Sequence, residues 1–187
     1  MRHLMMLATL CGLPLIAHAD YSGVHLALQS TAGPFWSGVF NPASALHPQD
    51  AALSTGETSL GLTADLDAGY FVARSLAIGT RLSLIGDRSY GVLGPGLFTR
   101  WFVSARWSID GSIGIPIVGA QPGQPAQAIY GFNSQLGVGI SLVQHRSLHF
   151  GLRAAAYHRY LPERGPSSEL HSFGLAVGIF GGFQREQ

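Results

Sequence analysis

Apolar and polar side chains alternate along most of this chain with a period of two, which is the spacing of a β-strand with two unlike faces. The clearest case is residues 58–72, where Leu60, Leu62, Ala64, Leu66, Ala68, Tyr70 and Val72 take one face and Gly61, Thr63, Asp65, Asp67 and Gly69 the other. Ala73-Arg74-Ser75 then turns the chain, and about 76–87 repeats the pattern, with Leu76, Ile78, Leu82 and Leu84 set against Gly79, Arg81, Ser83 and Asp87. The same reading predicts strands at about 91–103, 107–117, 129–143, 148–160 and 170–183, and a shorter first strand at about 21–30. Arg100 falls on the polar face of the fourth of these eight, Asp110 on that of the next, and Arg153 and Arg159 on that of the seventh.

Eight is an even number, as a closed up-and-down barrel requires. The links alternate too. Those near Arg74, Ala105 and Arg146 are tight, while the first, at about 31–57, is long and rich in Pro, Gly, Ser and Ala. Short turns at one end and longer loops at the other suit an outer-membrane barrel with both termini in the periplasm. In the long loop, Phe35, Trp36 and Phe40 are expected to be exposed apolar contacts for a partner or for lipid headgroups.

The apolar face is the greasier one in nearly every strand. In water it would coat the molecule with leucine. In lipid it is the required exterior, because closure satisfies every backbone group. The expected fold is therefore all-β, an eight-stranded antiparallel up-and-down transmembrane β-barrel. Tyr70, Trp101, Trp107 and Phe183 fall on the apolar face near the tight-turn ends, and Tyr130 and Tyr160 near the opposite ends, as two interfacial aromatic girdles would. Eight strands enclose just enough room for side chains to fill. Asp65, Asp67, Arg81, Arg100, Asp110, Arg153 and Arg159 are thus expected to form a lumen charge network that plugs the barrel. Counting Tyr70 against Leu76 puts Asp65 opposite Arg81; a shift of two residues brings Asp67 there instead. Arg100 faces Asp110 across the Ser104–Ala105 turn. The many inward glycines leave room for the arginines.

Composition strengthens the membrane reading. Charged residues are 11% of the 187, against roughly 25% in an ordinary soluble domain, and there are 25 glycines. Mean hydropathy is positive, yet no apolar run long enough for a spanning helix follows the N-terminal segment. That segment, residues 1–19, has Arg2 and His3, an apolar run from Leu4 to Ile16, and Ala17-His18-Ala19 at its end. These three parts make a cleaved signal peptide, leaving residues 20–187 as one barrel domain. Cys11 is lost with it, so a disulfide framework and a thiolate metal site are excluded. A net charge of +1 carries no nucleic-acid footprint.

The chain resembles the small outer-membrane barrel families of the OmpX, OmpW and OmpA membrane-domain type. The resemblance lies in Asp67-Ala68-Gly69-Tyr70-Phe71-Val72 with Leu76-Ala77-Ile78-Gly79, and in Gly94-Pro95-Gly96-Leu97-Phe98-Thr99-Arg100-Trp101-Phe102. It implies architecture and no activity. It also implies contact with outer-membrane lipids and lipopolysaccharide, delivery by periplasmic chaperones and the barrel-assembly machinery, and a monomer. One departure is that Phe183 is followed by four more residues, where these families end on an aromatic.

An enzyme alternative is a lipid A-modifying acyl hydrolase, which the stretch Gly151 to His158 resembles locally. Serine activated by histidine is the chemistry such an enzyme uses. On that alignment the positions of the catalytic His and Ser hold Ala156 and His158, and the literal His145-Arg146-Ser147 lies in a periplasmic turn. No catalytic residue, cofactor or metal is therefore assigned. His47, Asp50, His158, Glu163, Glu169 and His171 gather at the outer rim without metal-ligand spacing. A lipocalin-like carrier needs the opposite partition of faces.

Overall fold

The structure is a computed structural model, and it describes residues 21–40, 54–87, 91–120, 125–145, 147–162 and 169–186. The signal-peptide reading of residues 1–19 lies outside them. Ten strands form one sheet: β1 (Tyr21–Phe40), β2 (Ser54–Ala73), β3 (Leu76–Gly86), β4 (Gly91–Phe102), β5 (Trp107–Gly114), β6 (Val118–Ala120), β7 (Gln127–Ala128), β8 (Phe132–His145), β9 (Leu148–Pro162) and β10 (Glu169–Glu186). All pairings are antiparallel. The order β3-β2-β1-β10-β9-β8-β5-β4 closes through β3 against β4, giving an eight-stranded barrel. β6 and β7 are a short hairpin added to the free end of β4.

Alternation of side chains decides this shape. Along β9 the even positions from Leu148 to Pro162 point out and the odd positions from His149 to Leu161 point in, with no break over 15 residues. The exterior is leucine, isoleucine, valine and aromatic rings; the interior holds nearly all the buried polar groups. The tight-turn end is bound together from strand to strand. Backbone hydrogen bonds run from Tyr21 N to Arg74 O, from Phe102 N to Ser75 O, from Ser141 N to Arg106 O and from Gln184 N to Ser147 O. At the fourth link Ser104 Oγ accepts from the backbone N–H of both Arg106 and Trp107, which fixes the bend.

Three features differ from the expectations above. First, β1 runs 20 residues, to Phe40, and β2 starts at Ser54, so residues 31–40 and 54–57 of what reads as a long loop are strand. Pro34 lowers strand propensity on paper, but two neighbours hold the segment in register: Phe35 pairs with Gly174 on β10 and Ser59 on β2. Phe35 is therefore an inward, 1%-exposed core residue rather than an exposed contact, while Trp36 does face out. The Phe40 side chain lies outside the described residues. Second, a register shift between Phe71 and Ala73 sets Tyr70 opposite Ile78, so Arg81 faces Asp67 and Asp65 faces Ser83. Val72 is the extra residue of a bulge beside the turn, and the pairing beyond it is the two-residue shift allowed for above. Third, the strand read as 107–117 stops at Gly114, because Pro116 has no N–H for the ladder. Bonds from Ile115 N to Pro95 O and from Ile117 N to Leu93 O carry the wall across the break to β6.

Close approach explains the inward glycines at two positions. A Cβ on Gly137 would stand 2.4 Å from Arg153 Nη2, so glycine there is the floor on which that guanidinium lies. A Cβ on Gly178 would stand 1.9 Å from the carbonyl oxygen of Ser30, a backbone atom that cannot swing away. Gly178→Val should therefore destabilise the barrel by about 1–3 kcal/mol, the usual cost of overpacking. The shift of the urea unfolding midpoint in detergent micelles measures it.

Candidate functional site in the barrel lumen

The inward faces of the eight strands meet in three layers. At the tight-turn end, Tyr21, Ala77, Phe98 and Phe102 form a buried apolar cluster with Phe71 packed on it. Tyr21 stands edge-on to Phe102 with ring centres 4.9 Å apart. Toward the outer end, Phe35, Ile85, Val92, Ala155, Tyr157, Leu161 and Ala176 form a second cluster.

Charge fills the space between. Asp67 on β2 is the hub. It accepts from Arg81 Nε at 2.6 Å, Arg81 Nη2 at 2.8 Å, Arg100 Nη2 at 2.9 Å and Gln29 Nε2 at 2.5 Å. Asp110 on β5 accepts from Arg153 Nη2 at 2.6 Å, from Arg153 Nε at 3.2 Å and from Arg81 Nη2 at 3.2 Å. Arg81 Nη1 also donates to Ser112 and to Gln135 Oε1, and Gln135 Nε2 donates to Asp65 at 2.9 Å. Asp65 lies 3.9 Å from Arg153. The Arg81 and Arg100 guanidiniums stand over the Phe98 ring, 5.6 and 5.8 Å from its centre. Arg100 pairs in register with Asp110 across the β4–β5 turn, yet its shorter ion pair is with Asp67, and Asp110 is 3.9 Å away. Three aspartates thus balance three arginines inside a wall of hydrogen-bonded backbone.

Arg159 stands apart from this cluster. It donates to Asp87 at 2.7 Å and to Ser172 at 3.0 Å, near the outer mouth. Between the two groups, Thr31, Thr63 and the Tyr157 hydroxyl form a triangle with sides of 2.7, 2.8 and 3.0 Å.

Several inward residues that join or flank the network are absent from the expected charge set: His25, Gln29 and Phe35, together with Gln135, Tyr157 and Phe98, which the alternation places on the polar faces of their strands. A signal existed for the first two. With Val24, Leu26 and Leu28 outward, His25 and Gln29 must point inward. Phe35 carried none, because strand pairing past Ser30 was not legible.

On the outer surface, Tyr70, Trp101, Phe183 and Tyr130 are exposed, and Trp107 and Tyr160 are half-buried. The first three of these and Trp107 lie near the tight-turn end, Tyr130 and Tyr160 near the other. Tyr160 packs against His171 with ring centres 5.0 Å apart. His158 also faces out, stacked between His171 and Phe173, with its Nε2 3.3 Å from His171 Nδ1. Ala156 faces out as well, and Ser147 lies in the turn after β8. His47, Asp50 and Glu163 lie outside the described residues, as does the Glu169 side chain. Among the described residues no group of three metal-binding side chains occurs.

No family model and no curated sequence matches the chain. Solved structures do. Neisserial surface protein A superposes with a TM-score of 0.52 at 13% identity, over 84% of this chain and 97% of that one. OprG from Pseudomonas aeruginosa gives 0.41 at 10% identity, over 90% and 99%. Ail, the attachment invasion locus protein of Yersinia pestis, gives 0.44 at 10% identity, over 82% and 97%. At these identities the likeness is one of fold: a small eight-stranded barrel of the outer-membrane type.

Proposed function

We propose that this protein is an integral barrel of the Gram-negative outer membrane, exported by a cleaved leader at residues 1–19, whose work is done at its outer end and not through its lumen. The observation that carries this reading is the partition of side chains. The exterior is a broad, mainly apolar surface suited to lipid, interrupted by few polar residues such as Ser30, Thr80 and Thr99, and the interior holds two apolar clusters around a neutral Asp–Arg core. A solute entering from the periplasm meets the Tyr21–Phe102 layer, then ion pairs that would each have to be broken in a low-dielectric space. The strand lengths support an outer-end role. A tilted crossing takes about 9–11 residues. β3 has 11, whereas β1 and β2 have 20 and β10 has 18. The excess stands on the side away from the tight turns and offers a raised surface to lipopolysaccharide or to a partner. Monomeric insertion by periplasmic chaperones and the barrel-assembly machinery follows from the same architecture.

Planar-bilayer recording tests the sealed lumen. The purified protein should give no steady current at any holding potential, and a reproducible unitary conductance would overturn this reading. Mass spectrometry of lipid A from cells with and without the gene tests the hydrolase alternative. An unchanged acyl pattern is expected, since Ala156 and His158 stand where that chemistry needs a histidine and a serine. A lost acyl chain would assign the protein to that class instead.

A further inference from the structure

Beside the Asp–Arg core, on the side of the tight turns, the lumen holds a small chamber of about 10 Å³. This is about the least room that holds one water-sized body, and a halide, somewhat larger, would press on the surrounding side chains. His25, Arg100, Asp110, His149, Arg153 and Gln184 line it, and none of them is more than 4% exposed. Four of the six carry buried polar atoms that no protein group satisfies: His25 Nδ1, Arg100 Nε, both ring nitrogens of His149, and Gln184 Oε1. Buried polar groups in folded proteins are almost always hydrogen-bonded, so five such atoms around one chamber mark it as a binding site.

The protons decide what it binds. Arg100 Nη1 lies 3.0 Å from His25 Nε2. A guanidinium only donates, so His25 Nε2 is the acceptor and the ring's proton sits on Nδ1, one of the unsatisfied atoms. Arg100 Nε carries a proton in every state, and His149 carries at least one. The chamber therefore presents three or more N–H donors. The Gln184 amide can turn its NH2 inward to add another. The fixed charges lining it are two arginines against one aspartate, and the Asp110 oxygens are already taken by Arg81 and Arg153. We propose that this chamber is a binding site for one small monovalent anion of halide size, held by Arg100 Nε, His25 Nδ1 and His149. Asp110 is the one carboxylate in its lining, and Asp67 stands behind Arg100, 2.9 Å from its Nη2. The site lies away from the outer end, so it stands or falls separately from the surface role proposed above.

Bromide is the probe. Crystals of the refolded barrel grown with bromide as the sole halide should show one anomalous peak in the lumen, within hydrogen-bond reach of Arg100 Nε and the His149 ring. His149→Phe should fill the chamber and remove the peak while the barrel still shows heat-modifiable migration. In micelles at equal ionic strength, the wild-type protein should melt several degrees higher in sodium chloride than in sodium gluconate, and H149F should show no difference. Density at the site without anomalous signal, a peak that persists in H149F, or equal melting of the wild type in the two salts would each overturn the proposal. Should H149F fail to fold, the wild-type bromide map and salt comparison decide it alone.

Discussion

Replacing Asp67 with alanine is expected to cost the folded barrel about 3–5 kcal/mol, the penalty for leaving buried charge without its partner. Asp67 receives hydrogen bonds from Arg81, Arg100 and Gln29. Removing it leaves Arg81 with Asp110 and two neutral acceptors, and leaves Arg100 with His25 and a 3.9 Å approach to Asp110. The lumen charge cluster would then hold one more positive charge than negative. Urea-driven unfolding in phospholipid vesicles, followed by tryptophan fluorescence, measures the loss. Asp67→Asn should lose less, because the amide oxygen still accepts two of the bonds. The double variant D67A/R81M should lose less than the sum of the single changes, since the two groups form a bidentate pair. A loss of under about 1 kcal/mol in D67A, the range of a solvent-exposed pair, would mean that water reaches the core and that the lumen is not sealed.

The second large effect is predicted on the opposite face. Val177 lies midway along the outward row of β10 and is 69% exposed. Val177→Arg should destabilise the barrel by about 2–4 kcal/mol in vesicles, as a charge at the bilayer midplane does. The same change at the surface of a water-soluble barrel would be close to neutral and would raise solubility. The experiment therefore tests the partition of faces directly, and a neutral result in vesicles would remove the membrane reading. Its neighbour in register, Ala154, offers an independent repeat: A154R should behave alike, since Ala154 faces out on β9 as Val177 does on β10.

Both predictions lean on alternation, and alternation was in the sequence. The period of two sorted Asp67 from Leu66 and Val177 from Gly178 without coordinates, because a strand has only two faces and the hydrophobic set must take one of them. The count of eight followed from the same pattern. The lumen charges followed as well, since eight strands leave no room for an arginine to avoid an aspartate.

What alternation cannot supply is phase between strands. It fixes which face a residue takes, but a slide of two residues leaves every face unchanged. The pairing of Tyr70 with Ile78 instead of Leu76 is such a slide, and only the closed sheet shows that Arg81 meets Asp67 rather than Asp65. Strand length is likewise a tertiary decision. Residues 31–40 carry Pro, Gly and aromatic residues in an order that reads as loop, yet β2 and β10 flank them and supply backbone partners along most of their length. That pairing turns Phe35 from an exposed contact into the plug of the outer lumen. The layering of the interior, with aromatic rings capping a charge cluster at both ends, depends on side chains drawn from strands far apart in the chain. It exists only once the barrel has closed and set their relative heights.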